Sequence, residues 1–192
     1  MAALLERDDA THTYRFGGVV LPSVTQILRP LIDLSGIPRD VLEAKRDLGQ
    51  RVHAACHYLS ENDLDPSSVD PDVEPYLAGF ERFLRETGAE IIANEQFVHS
   101  QQWGYAGQLD LIARIDGATH LLDIKSCVAV PMSAGPQTAA YLRALGDPSV
   151  THRGALRLKP DGRYVLEPLH NPNDWAAFFA ALSLLRYKES HQ

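Results

Sequence analysis

Apolar and polar positions organise most visibly between Gly104 and Lys125. The run Gln108 to Ile115 is mostly apolar and β-compatible, and His120 to Lys125 is similar. Asp116-Gly117 lies between them, a dipeptide favoured in tight hairpin turns. A two-residue turn there sets Ile115 opposite Ala118. Counting outward, Asp110 then falls opposite Asp123. Strand positions two apart share a face, so Lys125 lies on the side of Asp123. A further strand is predicted over Ala89 to His99. A second hairpin is predicted over Thr151 to Leu169, turning at Lys159-Pro160-Asp161-Gly162-Arg163.

Helical spacing occupies much of the rest. Pro38 and Asp40 open a helix running to about Leu59, with Val41, Leu42, Leu48, Val52, Ala55, Cys56 and Leu59 as its apolar stripe. Glu74 to Thr87 places Tyr76, Leu77, Phe80, Phe83 and Leu84 on one side, with Gly88 as its C-cap. Ser133 or Gly135 caps a helix to about Leu145, with Pro136 in its first turn. Asn173 caps a last helix to about Tyr187, built on Trp175, Phe178, Phe179, Leu182 and Leu185. Ser23 is an N-cap for a short helix through Leu28, ended by Pro30. The stretch from Met1 to Gly18 is polar and ambiguous, with Thr13 to Phe16 as a short edge strand. Asn62 to Pro75 reads as a solvated acidic linker. Strands and helices thus mix along one α/β domain spanning residues 1–192, with a core over about 22–174.

Composition narrows the class. With 45% hydrophobic and 22% charged residues, the 192-residue chain is ordinarily globular. A formal net charge of -7 argues against a broadly basic nucleic-acid coat, yet leaves room for a local channel beside an acidic metal site. Cys56 and Cys127 build no disulfide framework, which suits a reducing compartment. The first residues lack a basic region followed by a long apolar core. The longest nearly apolar run, Trp175 to Leu185, is too short to cross a bilayer. A soluble, cytoplasmic protein with no membrane partner is expected.

Candidate chemistry gathers at the first hairpin. Two carboxylates directly opposite on a ribbon repel. A bound cation removes that repulsion, and Lys125 beside it completes the outline of a hard-metal site with a water-positioning group. The plainer alternative is that Asp123 and Lys125 form a solvated pair. Gly49, in mid-helix, costs roughly 1 kcal/mol against Ala and suggests that a backbone or ligand comes close. His53, Cys56 and His57 follow it, but no second cluster with zinc spacing exists in the chain. Gln137 and Tyr141 stand one turn apart, either as a surface amide beside a half-buried ring or as contacts to a substrate strand. Ser23 and Thr25 are either cap and neighbour or hydroxyls for phosphate. His152, Arg153, Arg157, Lys159 and Arg163 make the second hairpin the most basic segment, read as a phosphate-facing ribbon or a charge-protected edge. Glu95 gains interest only if its strand lies beside Asp110 and Asp123.

Together, Gly49-x-x-x-His53, Glu95, Gly107-Gln108-Leu109-Asp110, Asp123-Ile124-Lys125 and Gln137-x-x-x-Tyr141 resemble the PD-(D/E)XK nuclease superfamily, in its RecB-like and phage-type exonuclease branch. Pro22-Ser23-Val24-Thr25 also resembles the amino-terminal part of mitochondrial genome maintenance and phage exonucleases. The resemblance spans roughly Pro22 to Asp174. It implies a restriction-endonuclease-like core, a mixed central sheet flanked by helices. It implies Asp110 and Asp123 as ligands of Mg2+ or Mn2+, completed by His53 and the main-chain carbonyl of Ile124. Lys125 would orient or help deprotonate the attacking water, and Glu95 would support a second metal or a water. Gln137 and Tyr141 would hold the substrate strand. Asp110 follows a leucine rather than a proline, as is common in the RecB-like branch. Two cysteines cannot supply the iron–sulfur cluster of some relatives, and no Gly-x-x-x-x-Gly-Lys loop signals a nucleotide cofactor.

The expected activity is metal-dependent hydrolysis of DNA phosphodiester bonds by an exonuclease, on single strands or duplex ends, in recombination, repair or phage DNA processing. A helicase or recombination protein is a candidate partner. The rival readings are a catalytically inactive accessory protein that binds nucleic acid, and an α/β interaction domain in which the two aspartates never meet.

Overall fold

A computed structural model describes residues 5–8 and 13–191. Most of the start of the chain, where a leader would be sought, lies outside the described residues. Strands β1 (Leu5–Asp8), β2 (Thr13–Phe16) and β3 (Val19–Leu21) form a small antiparallel sheet in that order. β2 is therefore its middle strand and not an edge. Its neighbours are three and four residues long, too short to show a period in sequence. A short helix α1 (Val24–Ile27) follows. Ser23 and Gln26 close a reciprocal capping box on it, and a 3-10 turn, Arg29–Leu31, carries Pro30.

Two long helices come next, α2 (Arg39–Ser60) and α3 (Glu74–Thr87), the latter closed by left-handed Gly88. Arg51 of α2 bonds Asp47, Asp70 and Asp72, so the acidic linker is clasped to the helix. The main sheet has the order β4 (Glu90–Ser100), β5 (Tyr105–Ile115), β6 (Ala118–Lys125), β7 (Val150–Leu158) and β8 (Tyr164–Pro168). Only β6 and β7 run parallel. Helix α4 (Ala134–Leu145) lies between them in sequence, as a parallel crossover requires, and α5 (Asp174–Glu189) ends the chain. This is the expected class: an α/β fold with a mixed central sheet flanked by helices.

The two sheet faces make two cores. Leu111, Ala113, Leu122, Ile124 and Leu156 pack under α2 and α3, around the fully buried Phe80 and Phe83. Leu109, Ile112, Leu121 and Val150 pack with α1, α4 and α5 around Tyr105 and Phe178. Each fully buried Leu, Ile, Val or Phe among them contributes about 1.5–3 kcal/mol. Among the described residues no helix is long and apolar enough to cross a membrane.

Three of the five basic side chains of the second hairpin are taken up by carboxylates. Arg153 is held by Asp174 at 3.0 Å and by the Gly135 carbonyl at 2.8 Å. Arg157 pairs with Glu167, and Arg163 with Asp161. β8, not β7, lies at the sheet edge.

Candidate metal centre

The β5–β6 hairpin has the register its turn dictates. Asp116 and Gly117 both take positive φ, 49° and 80°, and Ile115 pairs with Ala118. The ladder continues to Leu111 opposite Leu122 and stops there. Asp110 and Asp123 do not pair. Instead, Asp110 Oδ2 accepts the Ile124 amide at 2.7 Å, so its side chain replaces the missing ladder bond. On the other side of β5, Asn94 pairs with Leu111 and Gln96 with Leu109, but Glu95 and Asp110 do not. Glu95 has a φ of 45°, in the left-handed region. A regular strand would put Leu109 and Leu111 on one face. They belong to different cores, so the pleat slips at Asp110.

Helix α2 brings His53 against this break. The Ile124 carbonyl can only accept, so His53 Nε2–H donates to it at 2.9 Å and Nδ1 is left facing the carboxylates. Nδ1 lies 3.6 Å from Asp110 Oδ1 and 3.8 Å from Glu95 Oε1. Donor atoms of His53, Glu95 and Asp110 all lie within 4.8 Å of one another. Burial opposes charge on the imidazole, but Asp110 and Glu95 outweigh it and raise the His53 pKa to about 9. The cluster draws positive charge to itself.

Behind it, Asp123 is 2% exposed and Lys125 Nζ lies 2.7 Å from its Oδ2. That contact pairs Oδ2 with the ammonium, while the buried Oδ1 has no hydrogen-bond partner. Burial pushes the Asp123 carboxyl up, Lys125 pulls it down and Asp110 pushes it further up. For Lys125, burial opposes the charge, but Asp123 and Asp110 prevail and the pKa rises. A buried carboxylate oxygen without a partner, beside a carboxylate–imidazole group, fits a hard divalent cation. Neither Cys56 nor Cys127 belongs to the group, so its donors are carboxylate oxygens and one imidazole.

His53, Glu95 and Asp110 face a groove of about 1240 Å³. Gly49 lines it, and a Cβ there would meet only Ser126 Oγ at 3.7 Å, so no backbone crowds that glycine. Gln137 and Tyr141 line it together, joined by a 3.2 Å hydrogen bond. Gly107 lets the Tyr141 ring close on β5, since a Cβ would collide with Cε1. Ser23 and Thr25 are also on the wall. The Ser23 hydroxyl, however, accepts the Gln26 amide as a cap and touches the Thr25 hydroxyl at 3.1 Å.

Beyond these, Arg46, Gln50 and His57 line the groove from the same helix as His53. Their spacing of three and four residues is a helical face legible in sequence. Gln108 and Arg7 also belong to the wall and are joined to each other, a contact between distant segments that no local pattern signals.

The sequence matches no protein-family model and no curated protein. Among solved structures, an alkaline exonuclease, LHK-Exo from Laribacter hongkongensis, aligns over 88% of this chain and 89% of its own, with 10% identity and a TM-score of 0.47. The same enzyme in complex with dAMP covers 89% of each chain at 13% identity and a TM-score of 0.46. A protein described as SSO0001 covers 76% of this chain and 73% of its own, at 19% identity and a TM-score of 0.38. Overlaps this loose carry no weight for the chemistry, which rests on the side chains themselves.

Proposed function

We propose that this chain is a divalent-metal-dependent deoxyribonuclease that hydrolyses phosphodiester bonds from DNA ends, an exonuclease. One observation carries the reading: His53 Nδ1, Glu95 and Asp110 converge within 4.8 Å on the wall of an open groove, beside the buried Asp123–Lys125 pair. His53, Glu95 and Asp110, with Asp123 adjacent, would hold Mg2+ or Mn2+. Such a cation supplies Lewis acidity toward an anionic phosphodiester, which an acidic site would otherwise repel.

The remaining roles belong to the chain. The Ile124 backbone orients the site from both ends: its amide fixes Asp110 and its carbonyl fixes His53. Lys125, kept charged by Asp123 and Asp110, serves as a donor that orients the attacking water. Gln137 and Tyr141 form one hydrogen-bonded unit on the wall and would position the substrate strand. Ser23 builds the α1 cap, and Thr25 presents the more exposed hydroxyl toward a phosphate.

The test uses end-labelled linear DNA and closed circular DNA, single-stranded and duplex, with Mg2+ or Mn2+. The expected result is shortening of linear substrates, sparing of circles and complete inhibition by EDTA. Asp123→Ala and Lys125→Ala should each lose about 10²–10⁴-fold in rate while keeping the fold. An Asp123→Ala chain as active as the parent would refute the reading.

A further inference from the structure

We infer that Gln108, oriented by Arg7 of the amino-terminal sheet, is a positioning residue that holds Glu95 in its left-handed conformation and so completes the cation group. The inference deepens the metal-site reading and rests on it. β4 and β5 lose their pairing at Glu95, which leaves the Glu95 carbonyl without its ladder partner. The Gln108 side chain takes that place: its Nε2 donates to the Glu95 carbonyl at 3.1 Å. Gln108 is itself aimed, since its Oε1 accepts Arg7 Nη1 at 2.6 Å. Arg7 comes from β1, in the other sheet, and its guanidinium also sits over the Phe97 ring at 6.0 Å. Phe97 is the ladder partner of Gln108.

A left-handed residue other than glycine, asparagine or aspartate persists in a strand only when its surroundings over-determine it. Here the surroundings are identifiable. One side-chain amide restores the hydrogen bond that the backbone gave up, and one guanidinium fixes that amide's rotamer and its orientation. The consequence is a carboxylate turned toward His53 Nδ1 at 3.8 Å. β5 uses the same device on its other side, where the Asp110 side chain replaces a ladder bond to Ile124. The strand therefore breaks toward both neighbours at one level and repairs each break with its own side chain. The first repair places Asp110, and the second places Glu95.

The small sheet thereby acquires a role at the site without touching a cation. Residues that hold a metal ligand in place typically change metal affinity 10–100-fold when removed. Electrostatics alone gives the opposite sign for Arg7: deleting a cation near an acidic cluster should tighten binding of a divalent ion.

Mn2+ affinity of the full chain is measured by electron paramagnetic resonance and titration calorimetry, for the parent, Gln108→Met, Arg7→Met, Glu95→Ala and Glu95→Ala/Gln108→Met. Near-ultraviolet dichroism verifies the fold. Gln108→Met and Arg7→Met should each weaken Mn2+ by about tenfold. Once Glu95 is Ala, adding Gln108→Met should have no further effect, because the two act as one unit. Parental affinity in Gln108→Met, tighter binding in Arg7→Met or additive losses in the double variant would overturn the inference and leave the metal site standing. A parent that binds no Mn2+ would overturn both. If Gln108→Met does not fold, Arg7→Met decides alone, by the sign of its effect.

Discussion

At the scale of the residue, Glu95 is the position where local preference and function part company. A left-handed conformation costs a side chain with a Cβ about 1–2 kcal/mol, and its carboxylate stands near that of Asp110 with His53 between them. Sequence reading finds a glutamate on a strand and stops there, because neither Gly nor Asn marks the positive φ. The conformation is imposed by Gln108 and by the loss of pairing, both tertiary effects. The two-residue turn makes the hairpin register legible as far as Leu111 opposite Leu122, where the ladder stops short of Asp110 and Asp123. The contacts of those two carboxylates were not legible: one accepts a backbone amide and the other is ion-paired with an ammonium. Glycine normally destabilises a strand interior by roughly 0.5–1 kcal/mol against alanine. At position 95 the order should invert, with Glu95→Gly more stable than Glu95→Ala by about 1 kcal/mol in urea denaturation. Equal stability, or alanine ahead, would mean that the backbone there is not strained.

At the scale of the element, signals that act locally were readable and those that act across segments were not. Helix α3 ends at Gly88 and α1 begins at Ser23 because caps are written in single residues. The strands of the amino-terminal sheet are too short for a period, so only β2 is visible, and its central place is not. The β6–β7 junction is another contact hidden in sequence, since its strands are joined through α4. There His120 and His152 pair across the parallel register and stack at 4.7 Å between ring centroids. Burial lowers the His120 pKa below its ordinary 6.5, the neighbouring imidazole lowers it further, and Asp116 opposes both. A depressed base binds fewer protons folded than unfolded, so its contribution to stability is intact above 6.5 and lost as pH falls through the folded value. Removing this imidazole should therefore flatten the acid limb. In thermal unfolding between pH 8 and pH 5, His120→Gln should lose less stability than the parent. Parallel profiles would show that His120 contributes nothing to the acid limb.

At the scale of the whole molecule, a net charge of -7 is distributed so that one place wants a cation. Arg51, Arg82, Arg153, Arg157 and Arg163 are each spent on carboxylates of their own neighbourhood. Among the described residues, the acidic groups at the β5 break have only His53 and Lys125 as ion-pair partners, and Asp123 Oδ1 stays buried without a hydrogen bond. A divalent ion held there, as proposed, would relieve that imbalance and so link folding to cation binding. At a free-ion concentration of 100 times Kd the linkage is worth about 2.7 kcal/mol. At roughly 2–4 °C per kcal/mol for a chain of this size, Mn2+ should raise Tm by about 5–11 °C, and EDTA should reverse the shift. Asp110→Asn separates the causes. Its amide oxygen can still accept the Ile124 amide, but one negative charge is gone from the cluster. The metal-free variant should be at least as stable as the metal-free parent, because repulsion is relieved while the hydrogen bond survives. It should also lose most of its response to Mn2+. A variant that gains as much from Mn2+ as the parent would place the ion elsewhere on this acidic surface. A metal-free variant much less stable than the parent would show that Asp110 serves the fold before it serves a cation.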